Sequence, residues 1–506
     1  MPERIPVSRR ISHSLYSYWP SIFTGVLLIL IQPPLSVFPL AFFALMPLLS
    51  SIDKTNLRRS FISGYITGVV SFFGLIYWVV TAMNHYGGIN IVLSSVILLL
   101  FVLYLSLYTG LFGLICAWLD RCFTVPVCVS SPLVWILLEY LRGAFQTGFP
   151  WSYLAHSQYN FLTLIQVVSV TGSYYISFLI VAVNVVLFML WRRQKGRFVY
   201  ASFIGLLFLV TVLYGYISLH RKEAEPNKTT AIVQGNIRQD VKWDEAFKSS
   251  TIHKHVQMSI EKARNADLVI WPETAMPFIF DQDVNAKTYL TQLPQALNAN
   301  LLFGTISRDD DKGFRNSALL IRKNGSISRY DKVHLVPFGE YTPLASYIPF
   351  LKDLTAAGGD FTRGAGHTPL TSDAGPVGLL ICYEGVFPAI TYETVREGAQ
   401  VLVNLTNDAW YDRTSAPYQH FAFYVFRAIE TDRYVLRAAN TGISAIIDPK
   451  GRVSARTPIF TQEVLKGSFS MKQTKTFYVD HGDYFILITL VILMGASCVG
   501  WYRKGD

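Results

Sequence analysis

Charge is scarce in this chain of 506 residues: 15% are Asp, Glu, Lys or Arg, against 51% apolar. Ordinary soluble domains carry about 25% charged residues, so the deficit excludes a fold exposed to water along its whole length. Cysteine is scarcer still. Of five, Cys116, Cys122, Cys128 and Cys498 fall in or beside apolar stretches, which leaves Cys382 alone in the polar part of the chain. A disulfide framework is excluded there, and a lone thiol with no partner in its own domain stands out as a reactive candidate. The sequence also has no internal repeat and no low-complexity tract, which excludes a solenoid.

The apolar residues that are present are concentrated. Residues 20–220 form a nearly unbroken series of apolar stretches, 221–480 have the charge density of a soluble domain, and Tyr484 to Trp501 closes the chain with another apolar run. A helix that crosses a bilayer needs roughly 20 apolar residues. Windows of that kind lie near 20–32, 34–50, 61–83, 90–118, 124–141, 162–191, 198–218 and 484–501. The first two are short and share a break at Pro33-Pro34, so they also read as one bent hairpin. Arg4, Arg9 and Arg10 ahead of the first run resemble a signal peptide, but no small-residue cleavage site follows, and the run is read as a membrane helix. The expected organisation is therefore a membrane domain at 1–220 with about seven transmembrane helices, an extracytoplasmic domain at 221–480, and a C-terminal transmembrane helix with a cytoplasmic tail at 481–506.

The formal charge of +10 follows the same plan. Basic residues cluster in the N-terminal tail, at Lys54, Arg58 and Arg59, at Arg121, from Arg192 to Arg197, and at Arg503-Lys504, so every second break is basic. Eight spans with both termini inside put all these clusters in the cytoplasm and residues 221–480 outside it. The charge is topological, and no nucleic acid is expected as a partner.

Between 229 and 470, short β-rich runs alternate with helical ones, which predicts a layered α/β or α+β domain. Strands are expected at 229–234, 266–271, 301–306, 317–322, 378–382 and 401–404. Helices are expected at 244–264, 286–298, 387–398 and 417–433, and Asn324-Gly325 marks a hairpin turn because both residues tolerate positive φ. The segment 341–359 carries aromatics, prolines and Gly358-Gly359; it reads either as a flap with apolar side chains or as a packed Pro-rich loop.

Two of the expected strands end on a reactive side chain, in Trp271-Pro-Glu273 and in Ile381-Cys382-Tyr-Glu384. The C-terminal edge of such strands is where functional groups converge in layered α/β folds. A thiol there, followed by a helix near Phe387, would have its thiolate stabilised by the helix N-terminus; taken singly, a strand-end cysteine is more often a small buried hydrophobe. Between the two strands, Lys332 and Glu340 flank Pro337-Phe-Gly. A lysine stabilises an oxyanion and a second carboxylate orients the lysine, although each residue alone would pass for a solvated surface charge.

Trp271-Pro-Glu273, Asp331-Lys332 with Pro337-Phe-Gly-Glu340, and Ile381-Cys382-Tyr-Glu384, in that order, resemble the nitrilase superfamily. The likeness extends to Gln234-Gly-Asn-Ile237, Asn404-Leu-Thr-Asn407-Asp-Ala-Trp410 and Arg437-Ala-Ala-Asn440-Thr-Gly442. With the membrane helices, Gly148-Phe-Pro-Trp151, Trp243 and Pro417-Tyr-Gln-His420, the chain resembles the apolipoprotein N-acyltransferase family from end to end. That resemblance implies an α-helical polytopic membrane domain joined to a four-layer α-β-β-α nitrilase-like sandwich. It implies a triad of Glu273 as general base, Lys332 as oxyanion stabiliser together with the Tyr383 N–H, and Cys382 as nucleophile. Trp243, Glu340, Tyr383, Glu384, Asn407 and Trp410 would support the site, without metal or cofactor. The implied partners are a phospholipid acyl donor such as phosphatidylethanolamine, diacylglyceryl apolipoproteins and the lipid bilayer, at a bacterial inner membrane. A membrane-tethered amidase, or a transporter or sensor with an inert outer domain, are the competing expectations. Eight spans exceed what tethering needs, and beyond Glu139 and Arg142 the spans hold almost no internal charge for transport.

Overall fold

The computed structural model describes residues 18–309, 313–343 and 361–505. The segment singled out at 341–359 thus lies outside the described residues from 344 onward. In the N-terminal part the principal helices are α1 (Trp19–Leu30), α2 (Leu57–Ile76), α3 (Ile91–Phe123), α4 (Val127–Ala144), α5 (Ser173–Trp191) and α6 (Arg197–His220). Among the described residues six helices are long and apolar enough to cross a membrane: α2 to α6 and the C-terminal Tyr484–Gly505.

The first two apolar stretches form the bent hairpin rather than two full-length helices. Helix α1 has 12 residues, about 18 Å at 1.5 Å per residue. It runs alongside α2, with Thr67 Oγ1 donating to the Ser21 carbonyl at 3.0 Å. The return arm is broken into Phe38–Phe42 and Met46–Leu49. Breaks in an apolar helix leave backbone groups that water cannot reach, so they need protein partners. Asn184 of α5 supplies them, donating to the Ala41 carbonyl and accepting from the Leu45 N–H, both at 2.8 Å. Helices α2 and α3 approach closely through glycines: a Cβ on Gly64 would lie 2.0 Å from the Thr109 carbonyl oxygen, and one on Gly113 2.2 Å from that of Ser60.

The basic clusters among the described residues gather at one end of this bundle. Lys54 pairs with Asp120 at 3.4 Å, and Lys504 Nζ donates to the Arg121 carbonyl at 3.2 Å. The opposite end carries the second domain, where Gln166 Nε2 donates to the Lys450 carbonyl at 2.9 Å.

That domain contains two sheets. Its strands begin with β1 (Lys228–Gln234), β2 (Leu268–Ile270), β3 (Met276–Ile279), β4 (Asn300–Asp309), β5 (Gly313–Ile321) and β6 (Ile327–Asp331). They continue with β7 (Leu370–Ser372), β8 (Gly375–Ile381), β9 (Val401–Thr406), β10 (Val435–Ala439), β11 (Ala445–Ile447), β12 (Val453–Arg456) and β13 (Glu463–Phe469). One sheet has the order β13-β1-β2-β4-β5-β6 with β3 added beside β4, the other β12-β11-β10-β9-β8-β7. The central pairs β1-β2, β2-β4, β8-β9 and β9-β10 are parallel. Ile232, Ile270, Leu302, Leu379, Val403 and Leu436 fill the space between the sheets.

Helices α7 (Glu245–Lys262) and α8 (Val284–Leu297) cover the first sheet, and α9 (Pro388–Arg396) and α10 (Ala416–Thr431) cover the second. The result is the expected α-β-β-α sandwich. The apolar layer under α9 and α10 is continuous with the membrane-helix core, where Phe423 and Phe426 join Leu154, Trp151 and Ile176. The six expected strands correspond to β1, β2, β4, β5, β8 and β9. In the β5–β6 turn, Gly325 takes positive φ (+80°) while Asn324 accepts the Ser326 N–H with its side chain at 3.0 Å.

Candidate active site

Strand β8 delivers Cys382 at its C-terminal edge with φ of +52°, a left-handed conformation that costs a non-glycine residue roughly 1–2 kcal/mol. The surrounding contacts hold it. Tyr424 Oη donates to the Cys382 carbonyl at 2.9 Å, and Glu384 Oε2 accepts the Ile381 N–H at 2.7 Å. Cys382–Val386 forms a tight 3₁₀ turn, and α9 begins only at Pro388. Burial pushes the Cys382 thiol well above its ordinary pKa and the Glu273 carboxylate adds to this, against the opposing pull of Lys332 and the Thr406 hydroxyl. Burial thus favours the neutral form of the thiol, and α9, expected near Phe387 to stabilise a thiolate, begins six residues past Cys382.

Glu273 follows β2, and the side chain is buried. Its Oε1 accepts from Asn316 Nδ2 at 2.8 Å and its Oε2 from the Asn407 N–H at 2.9 Å. Lys332 follows β6 and is 1% exposed, with Nζ 2.9 Å from both carboxylate oxygens of Glu340 and 3.9 Å from Glu273 Oε1. Burial works against its charge, but Glu340, Glu273 and Cys382 outweigh it and raise its pKa, so Lys332 is a fixed cation. Asn316 on β5 ties the two carboxylates together, its Nδ2 also donating to Glu340 Oε1 at 2.8 Å. The Pro337-Phe-Gly turn folds Glu340 back until its Oε2 accepts the Val336 N–H at 2.8 Å. The structure therefore brings Glu273, Lys332, Glu340 and Cys382 to one place at the C-terminal edges of both sheets.

The remaining sequence candidates divide. Glu384 is fully buried and acts as a splint: it accepts the N–H groups of Ile381, Val333 and His334 and the Tyr330 hydroxyl, binding the Lys332 segment to the Cys382 turn. Burial pushes its carboxyl up to about 7 against those donors. Tyr383 is buried and donates from its hydroxyl to the Gly148 carbonyl at 3.2 Å. Asn407 serves through its backbone, while its side chain donates to Gln239 at 2.7 Å. Trp243 is half-exposed, and Trp410 packs edge-on to Tyr86 at 6.1 Å.

The residue before Trp243 is the one that turns inward. Lys242 is 2% exposed and donates to the Glu273 carbonyl at 3.1 Å. Burial lowers its pKa to about 7, against the pull of Glu273 and Cys382. Sequence reading missed Lys242, Asn316, Thr406 and Tyr424. Asn316 alone carried a signal, as an amide opening the apolar run of β5.

Residues 229–477 match the carbon-nitrogen hydrolase family, and residues 24–186 match the apolipoprotein N-acyltransferase N-terminal domain. The chain is 38% identical to an apolipoprotein N-acyltransferase of Geobacter metallireducens, covering 100% of this chain and 98% of that one. It is 33% identical to one of Methylococcus capsulatus, covering 83% and 84%. Among solved structures it is similar to Saccharomyces cerevisiae Nit3, at 17% identity and a TM-score of 0.39, over 49% of this chain and 93% of that one. With both domain types in one chain and full-length identity at this level, the protein belongs to the apolipoprotein N-acyltransferase family.

Proposed function

We propose that the protein moves a fatty acyl group from a phospholipid, phosphatidylethanolamine being the proposed donor, to the α-amine of the N-terminal diacylglyceryl-cysteine of apolipoproteins. The carrier is a thioester on Cys382. The observation that carries this reading is the convergence of Glu273, Lys332 and Cys382 in a buried site directly above apolar helices. Both substrates bear acyl chains that cost about 0.8 kcal/mol per CH₂ to bring into water, so a site at the bilayer surface suits them.

Glu273 removes the thiol proton as Cys382 Sγ attacks the ester carbonyl, and Lys332 with the Tyr383 N–H receives the developing oxyanion. One such donor is worth about 3–4 kcal/mol in acyl transfer. Collapse breaks the ester C–O bond, and the leaving lysophospholipid oxygen takes the proton back from Glu273. In the second half the lipoprotein amine attacks the thioester and gives its proton to Glu273. The amide forms, and Cys382 leaves as the thiol. The high pKa of resting Cys382 fits this coupling of deprotonation to attack.

The orientation that accompanies this reading has both termini cytoplasmic and the catalytic domain periplasmic at an inner membrane. It is supported by the basic residues at the end of the bundle opposite the catalytic domain. The test is mass spectrometry of the full chain given phospholipid alone. Wild type is expected to gain one hydroxylamine-sensitive acyl mass and Cys382→Ala none; equal adducts on both would overturn the mechanism. A tethered amidase would instead release a labelled acyl group as free acid rather than pass it to a lipopeptide amine.

A further inference from the structure

Two neighbouring side chains on α10 face in different directions. Gln419 turns toward the membrane domain and is 3% exposed. Its Oε1 accepts from two indoles, Trp151 Nε1 at 2.7 Å and Trp78 Nε1 at 3.1 Å, and its Nε2 donates to the Leu75 carbonyl at 3.1 Å. One amide thereby pins α10 to the end of α2 and to the loop after α4. His420, the next residue, turns toward the catalytic centre and lies 2.9 Å from Asp408. One turn further along, the Tyr424 hydroxyl sits between His420 Nε2 at 3.3 Å and the Cys382 carbonyl at 2.9 Å.

The same membrane-domain loop reaches the other side of the nucleophile turn. The Trp151 indole stacks on Tyr383 at 6.4 Å and 22°, and the Tyr383 hydroxyl donates to the Gly148 carbonyl. Segments anchored among the apolar helices therefore hold both residues of the turn, the nucleophile through its carbonyl and the oxyanion donor through its ring. Neither Gln419 nor Trp151 touches the reacting atoms.

We propose that Gln419 and Trp151 are positioning residues through which the membrane domain sets the conformation of the Cys382-Tyr383 turn. The inference rests on Cys382 being the acyl carrier. A left-handed turn at a non-glycine residue persists only where its surroundings over-determine it, and a displacement of about 1 Å at a reacting group costs up to about 10²-fold in rate.

The experiment follows thioester formation on the full-length protein in lipid nanodiscs, separating rate constant, plateau amplitude and the phospholipid concentration for half-maximal rate. Gln419→Leu removes the acceptor of both indoles and is expected to lower the rate constant about tenfold or more. Trp151→Phe keeps an aromatic ring over Tyr383 but loses the N–H, with a fall of about threefold. Amplitude and half-maximal concentration are expected to stay at wild-type values in both. Rate constants within about twofold of wild type overturn the proposal. So does a loss confined to amplitude, which would report fewer folded molecules and a merely structural role. Absence of the hydroxylamine-sensitive adduct in wild type would instead sink the reading of Cys382 as carrier, which keeps the two failures apart.

Discussion

The two helical layers of the sandwich are built for different surroundings. In α7, which covers the first sheet, five of eighteen residues are buried; in α10, which covers the second, fifteen of sixteen are. The first pattern is that of an amphipathic helix with one side in water. The second is that of a helix enclosed between a sheet and the membrane domain, and its polar residues are correspondingly paired. Arg427 binds Glu430 at 2.7 Å, and Arg437 of β10 binds Asp408 at 2.8 Å, with both arginines fully buried. Burying charge is costly unless it is paired and hydrogen-bonded. The enclosed layer can carry so much of it because almost every charge has a partner fixed in place.

That contrast makes the enclosed layer the more fragile one. Asp408→Asn is expected to have the largest effect, because it keeps the shape but leaves the Arg437 guanidinium without its counter-charge. Breaking such a pair from one side costs about 3–5 kcal/mol, read as a lower unfolding midpoint of the detergent-solubilised protein. A loss of under about 1 kcal/mol would mean that the pairing does not sustain this layer.

Lys242 sharpens the comparison from the side of the first sheet, since it is a buried cation whose hydrogen bond goes to a carbonyl rather than a carboxylate. Its folded pKa is lowered to about 7, whereas an unfolded lysine holds its proton to about 10.4. Between those values the unfolded chain binds more protons, so this group makes stability rise with pH, by roughly 2 kcal/mol from pH 7 to pH 9. Lys242→Met is expected to flatten that rise; parallel stability curves for the two proteins would show that Lys242 stays charged.

The smallest effect belongs to the water-facing surface. Asp283 caps α8 by accepting the Ala286 N–H at 2.9 Å and also pairs with Lys248 at 2.6 Å. Its pKa is lowered, first by the Ala286 N–H and then by the Lys248 bond. Its contribution is therefore complete above about pH 4 and lost as pH falls further. Asp283→Ala is expected to cost about 1 kcal/mol at neutral pH without changing the rate constant of thioester formation. A changed rate constant would mean that the outer layer, too, shapes the site.

How far the sequence could be read depended on how local the cause was. The four long helices of the catalytic domain and strands β1, β4, β5, β8 and β9 follow apolar periodicity, and their positions were legible. Strands β10 to β13 were not. Arg437 interrupts β10, and Lys466 and Ser468 give β13 a polar side, so their strand character comes from pairing with β9 and β1. At the site, Glu273 and Cys382 were legible as strand-end groups, and Lys332 and Glu340 as a pair flanking Pro337-Phe-Gly. The half-exposure of Trp243, the inward turn of Lys242 and the use of Asn407 through its backbone were not, because which neighbour faces the site depends on the rotation of a short helix and the path of a loop.

By itself the sequence determined the partition into an apolar bundle and a polar layered domain, and the alternation of basic breaks. These depend on composition and spacing, which act over a few turns of chain. Only the tertiary structure decided that the first two apolar stretches make a hairpin closed by Asn184, and that Gln419 and Trp151 join the membrane domain to the Cys382-Tyr383 turn. Each of these arises between residues more than a hundred positions apart, where burial and the partner's orientation set the energy and local pattern carries no trace of either.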